Sequence, residues 1–164
     1  TELTIDTYIT ERNYNNDEDE GRDGTLISGT VVLSQFYLEK DLGLQAGVGY
    51  SSFDADVDAF GYDLPEVFVG GTYNAWQGGT LYSRLGYRQY DFDENFEVLV
   101  DLGFQSDRED DEWRFLAGFR HEIDTEFLNG WVVQGEYVYT DNDSDVDVFD
   151  YDRSQISLGI SRDF

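Results

Sequence analysis

Apolar and polar residues alternate from one end of the chain to the other. This period of two places candidate strands at 2–13, 25–40, 42–54, 65–76, 79–92, 95–106, 112–124, 130–141 and 152–164. Turn-rich or acidic stretches lie between them, among them Asn15 to Gly24, Asp41-Leu42-Gly43, Gln77-Gly78-Gly79 and Asp93-Glu94-Asn95. No stretch of ten or more residues carries a 3.6-residue apolar period, so no crossover helices are available to make parallel strands. The pattern predicts an all-β meander of antiparallel hairpins in a single domain, 1–164.

Separating the two faces sharpens the picture. Residues 96–104 set Phe96, Val98, Val100, Leu102 and Phe104 against Glu97, Leu99, Asp101 and Gly103. Residues 113–123 set Trp113, Phe115, Ala117, Phe119, His121 and Ile123 against Arg114, Leu116, Gly118, Arg120 and Glu122. At 42–50, Leu42, Leu44, Ala46, Val48 and Tyr50 oppose Gly43, Gln45, Gly47 and Gly49. One face is nearly pure apolar; the other mixes Gly and Ser with charges of both signs.

A soluble barrel puts its apolar face inside, and a membrane barrel puts it outside. Two features favour the second arrangement. Mid-strand glycines on the polar face (Gly47, Gly49, Gly70, Gly86, Gly103, Gly118, Gly159) would weaken a solvated strand, whereas in a narrow interior they make room for long side chains opposite. The charged residues of that face also form a candidate interior network, with Arg84, Arg88, Arg114 and Arg120 pairing Glu97, Asp101, Glu122 and Glu136. On the apolar face Trp113, Trp131, Tyr50, Tyr73, Tyr87, Tyr137 and Tyr139 fall toward strand ends, as interfacial aromatic girdles would.

The terminal segment Ile156-Ser157-Leu158-Gly159-Ile160-Ser161-Arg162-Asp163-Phe164 resembles the C-terminal strand of bacterial outer-membrane β-barrels. Arg162 stands where that family commonly has an aromatic. In length, hairpin layout and glycine use the whole chain resembles the small OmpA/OmpX/OmpW-like barrels. The resemblance implies an antiparallel up-and-down transmembrane β-barrel in the outer membrane of a Gram-negative bacterium. It also implies contact with the lipid bilayer and lipopolysaccharide, and Phe164 as the signal read by the barrel-assembly machinery. Such barrels have an even number of strands, and nine segments are counted. Either one is not a full crossing, with 2–13 the first candidate, or a strand near 54–64 has gone uncounted. The expected number is eight to ten, with eight favoured.

Composition changes the picture in three ways. The 164 residues carry 36 acids and 10 bases, a formal charge of −26 that repels nucleic acid. Aromatics at 16% and clear periodicity oppose the disorder such acidity often signals. The chain has no Cys and one His, which excludes disulfides, thiolate sites and multi-histidine metal centres. The chain begins at Thr1 and holds no Met, which fits a mature chain after removal of a signal peptide. No apolar run reaches the roughly 20 residues of a transmembrane helix, a test that barrel strands escape.

The acids concentrate in four segments, 13–24, 54–64, 106–112 and 141–152, which hold 20 of them and only two bases, Arg22 and Arg108. With nine strands these segments cannot all lie on one side. Asp141, Asp143, Asp145 and Asp147 partly imitate a calcium-loop ladder, but Val146 takes the glycine position and no helices flank it. Loose association of Ca²⁺ or Mg²⁺ is the most this pattern offers, and no cofactor is expected. His121 lies in the apolar register of its strand with no neighbouring nucleophile, so it reads as an interface residue and the chain as a non-enzyme. Three functions fit: a structural or adhesive outer-membrane barrel working through acidic loops, a narrow pore lined by Arg and Glu, and a soluble barrel binding an apolar ligand.

Overall fold

The computed structural model describes residues 1–14, 20–93, 103, 108–125, 127, 128 and 130–162. Eight strands form one antiparallel sheet in strict chain order. They are β1 (Glu2–Arg12), β2 (Gly24–Tyr37), β3 (Leu42–Ala55) and β4 (Tyr62–Trp76). These are followed by β5 (Gly79–Phe92), β6 (Arg108–Ile123), β7 (Trp131–Ser144) and β8 (Tyr151–Arg162). Among the described residues there is no α-helix, and no helix long and apolar enough to cross a membrane. Every neighbouring pair runs in register over most of its length, with one irregularity between Asn74 and Trp76. Among the described residues β1 pairs only with β2 and β8 only with β7, so these two are the edges of the sheet.

Among the described residues the strand count is eight, an even number. The segment expected at 2–13, the first candidate for an incomplete crossing, is a strand over Glu2–Arg12, with eleven residues paired to β2 from Glu2↔Ser34 to Arg12↔Gly24. No further strand appears near 54–64, where Asp58–Phe60 is a short 3₁₀ turn. The expected strand 95–106 lies outside the described residues apart from Gly103, which sits in a turn at φ 95° and so is not a mid-strand glycine. Up-and-down order then puts all four acidic segments at one end of the sheet, which nine strands had forbidden. At the other end are the connections 38–41, 77–78 and 124–130. The chain's first and last described residues lie at that end too.

The acidic end is built rather than loose. Asp56 and Val57 donate backbone N–H to Asp23 and Gly21, joining the β1–β2 and β3–β4 connections. Beneath them Leu26, Phe53 and Ala55 form a buried cluster with Phe60 and Tyr62 packed against it. The strand tips therefore close over their own small apolar core, on the face that is polar further down.

Candidate functional site

The exposed face is the apolar one. Val31, Val48 and Val67 stand side by side on β2, β3 and β4, and all three are exposed. Leu3, Ile5 and Ile9 on β1, Leu81 and Leu85 on β5, and Ile156, Leu158 and Ile160 on β8 extend the same band. Toward the acidic end the band stops at Tyr50, Tyr87, Trp113 and Tyr139, and beyond them the same face turns acidic with Asp54, Asp91, Asp111 and Asp141. The boundary is tied down: Tyr87 and Trp113 are register partners with ring centroids 5.0 Å apart, and the Tyr87 hydroxyl donates to Asp111 at 2.6 Å. An aromatic body in the band with its polar tip turned toward the acids is how Tyr behaves where an apolar medium meets water. At the opposite end Tyr73, Trp76 and Trp131 mark the other limit, and His121 accepts the Trp76 indole N–H at 3.2 Å.

The other face is the more enclosed one along β2–β7, and its side chains reach across intervening strands. Tyr82 on β5 donates to Glu136 on β7 at 3.3 Å, and Tyr151 on β8 donates to Glu112 on β6 at 3.2 Å. Neighbouring strands are about 4.8 Å apart, so such bonds require the sheet to curl around this face. The glycines make room as expected at two places: a Cβ on Gly47 would strike the Phe68 ring, and one on Gly118 would meet the Tyr82 hydroxyl at 2.6 Å.

The charge network exists with partners other than those expected. Arg84 donates to Glu66 at 2.6 Å and its guanidinium lies 3.6 Å over the Phe68 ring. Arg88 pairs with Glu112 at 3.3 Å. Of the expected pairings, only Arg120 with Glu122, at 3.7 Å, is present among the described residues. Glu136 holds the Tyr82 hydroxyl rather than an arginine, and Arg114 has no ion-pair partner among the described residues. Glu97, Asp101 and Phe164 lie outside the described residues. A cavity of about 340 Å³ opens among Glu66, Arg84, Gly86, Arg88, Arg114 and Leu116.

At the acidic end Arg108 is clamped between the rings of Phe92 and Phe149, at 4.2 and 3.5 Å, and pairs with buried Asp110. The four aspartates of the expected ladder do not sit in one loop. Asp141 and Asp143 belong to β7, where they alternate with buried Thr140, Asn142 and Ser144, while Asp145 and Asp147 follow in the turn. Among the described residues no group of three or more acids or His is arranged to hold a metal ion. Asp93, just past β5, has its carboxyl pushed above the ordinary range, first by partial loss of water and then by Asp63, Asp58, Asp54 and Asp91 nearby.

A family model described as a protein of unknown function, DUF2860, matches residues 3–161. The chain belongs to the DUF2860 family. No curated protein and no solved structure matches it. The DUF2860 match runs from the second residue of β1 to the penultimate residue of β8, so the exposed band, the enclosed charges and the acidic connections all lie within the family's own extent.

Glu66 and Glu112, the carboxylates that pair with Arg84 and Arg88 in this DUF2860 chain, are not members of the expected network. Their signal was present: Glu66 stands opposite Arg88, and Arg88 opposite Glu112, in the same even-numbered register as Arg84 and Arg114. Glu112 stands at the first position of the expected strand 112–124 and the last of the acidic segment 106–112, and β6 begins four residues before it, at Arg108.

Proposed function

We propose that the chain is an integral outer-membrane β-barrel whose apolar band faces lipid and whose acidic end projects from the cell. The observation that carries this reading is the exposure pattern: along β2–β7 the apolar face is the more exposed one and the polar face the more enclosed, while the edge strands β1 and β8 are exposed on both faces. Water-soluble sheets do the reverse. Strands of 11–16 residues meet or exceed the roughly 9–11 that a tilted crossing needs, and the longer ones leave their tips to form the acidic end. Edges β1 and β8 run antiparallel to one another, so pairing them closes an even-stranded barrel. The two longest connections, 13–23 and 93–107, lie at the end away from the termini, which fits the outer-membrane arrangement. The working surface is then the acidic end, in a structural or adhesive role.

The test is folding in detergent micelles, read as a mobility difference between unboiled and boiled samples. A shift that requires micelles supports the proposal. A monomer that folds in plain buffer overturns it and returns the soluble ligand-binding barrel.

A narrow pore is the second reading, favoured by polar cavities on the enclosed face. One is the arginine-lined cavity, and another of about 220 Å³ is lined by Tyr82, Gln134, Glu136, Ser157, Leu158 and Gly159. Conductance steps in planar bilayers would establish it, and a flat baseline would remove it.

A further inference from the structure

We infer that the arginine-lined cavity on the enclosed face is a binding site for a small oxyanion. Three of the chain's ten basic residues line this one cavity, in a molecule of formal charge −26. Arg84 and Arg88 project from β5 on either side of Gly86, and Arg114 projects from β6 directly opposite Gly86. The three guanidinium groups therefore surround a position that has no side chain. Arg84 is committed to Glu66, and Arg88 holds Glu112 and the Tyr90 hydroxyl. The two carboxylates balance those two cations and leave Arg114 in excess.

Among the described residues Arg114 makes no ion pair and no side-chain hydrogen bond; it is exposed, and its register neighbours are Gly86 and Thr140. On β8, Arg153 occupies the same row beyond Thr140, so no carboxylate flanks Arg114 within that row. A guanidinium presents a planar fork of N–H donors that matches carboxylate or phosphate oxygens. Arg114 is exposed, so its fork is open to an incoming anion and committed to no carboxylate among the described residues. The cavity is large enough for a phosphate-sized ion. The site lies on β4, β5 and β6, away from both edges, so it does not depend on barrel closure or on the membrane reading.

Gly86 supplies a direct test. A Cβ there would lie 3.7 Å from Phe68 Cβ and 3.8 Å from Glu66 Oε1, ordinary contacts, so a side chain can be introduced without collision at its root. Gly86→Glu places a tethered carboxylate among the arginines. The experiment is calorimetric titration of inorganic phosphate into the folded full chain at low ionic strength. Saturable binding is expected for the wild type. At least tenfold weaker binding is expected for Arg114→Gln, and none for Gly86→Glu. Arg120→Gln, at the opposite end of β6, removes the same charge outside the cavity and is expected to leave binding within twofold. Circular dichroism confirms the fold of each variant, and Gly86→Glu carries the test where Arg114→Gln fails to fold. Absence of saturable binding in the wild type overturns the inference, as does equal weakening by Arg120→Gln and Arg114→Gln. Neither result touches the micelle-dependent mobility shift, so this inference and the membrane reading fail separately.

Discussion

The Arg84 guanidinium lies over the Phe68 ring, 3.6 Å from its centroid, while its Nη2 donates to Glu66 at 2.6 Å. Three strands take part in this contact, because Phe68 is itself laid across Gly47 of β3, its register partner. The ring shields one face of the guanidinium from water and fixes its plane, so the fork meets Glu66 in a set direction. Removing the Cβ at position 47 is what lets the ring lie down.

The first prediction follows from that packing. Gly47→Ala drives a methyl group into the buried Phe68 ring and toward the Val31 carbonyl, 3.0 Å from the new Cβ. Overpacking of this kind costs about 1–3 kcal/mol. Chemical denaturation of the folded protein is expected to show that loss. Gly49→Ala, whose nearest neighbour is the Thr30 hydroxyl at 3.3 Å, is expected to lose less.

Alternation alone located the eight observed strands, because burial on one face and exposure on the other impose the same period whichever side faces water. It could not show that β6 and β7 continue into the acidic end. There Asp110, Glu112, Asn142 and Ser144 are buried polar residues, and a run of acids in strand register has the composition of a loop. The partners Glu66 and Glu112 were hidden for a related reason. Ion pairs on a sheet depend on register between strands, and register is a pairwise property that no single segment displays. The direction of the faces was legible, since glycines opposite aromatics, as at Gly47 with Phe68, make sense only on a crowded side.

The second prediction concerns the turn Leu38–Lys40, where three consecutive non-glycine residues have positive φ, at 52°, 57° and 83°. Left-handed backbone is unfavourable for residues with a Cβ. Lys40 has the largest φ of the three and makes the only basic side chain of this connection. Lys40→Gly is expected to stabilise the fold by up to about 1 kcal/mol. A lower denaturation midpoint for the variant would contradict it.

The third prediction is a pH dependence at the acidic end. The Asp93 carboxyl is raised in the folded chain by partial loss of water and by Asp63, Asp58, Asp54 and Asp91. The folded form therefore holds this proton more tightly than the unfolded form. Its contribution to stability falls as pH rises from the ordinary carboxylate range through the raised value, and the penalty is complete above that. Asp93→Asn is expected to raise the thermal midpoint at pH 7, with the gain shrinking as pH falls below the carboxylate range. A gain that is constant with pH would assign the effect to packing against Gly61 instead.

The fourth prediction probes what the exposed band touches. Val48 stands at its middle, between Val31 and Val67, and is 56% exposed. In a bilayer, an arginine near the midplane of a barrel's outer face costs about 2–4 kcal/mol. Val48→Arg is expected to lose that much in refolding titrations with lipid vesicles. Asp54→Arg, on the same face of β3 but past the Tyr50 boundary, is expected to change stability little. Equal effects at the two positions would mean that no apolar medium covers the band.

The last prediction concerns the edges. An unpaired edge strand leaves alternate N–H groups free to exchange with solvent, and a long exposed edge invites pairing with another strand. β1 and β8 present two such edges, of 11 and 12 residues, and they run antiparallel. Joining them satisfies both rows of donors and encloses Tyr8, Asp6 and Arg153, which share the polar register with Arg114 and Glu66. Hydrogen exchange of the micelle-folded chain, read by mass spectrometry, is expected to show peptides 2–12 and 151–162 protected as strongly as β4 and β5. Rapid exchange of about half the amides in both segments would show open edges and overturn closure within the chain. If protection appears only above a threshold protein concentration, the edges are being paired between copies, and the barrel is larger than one chain can make.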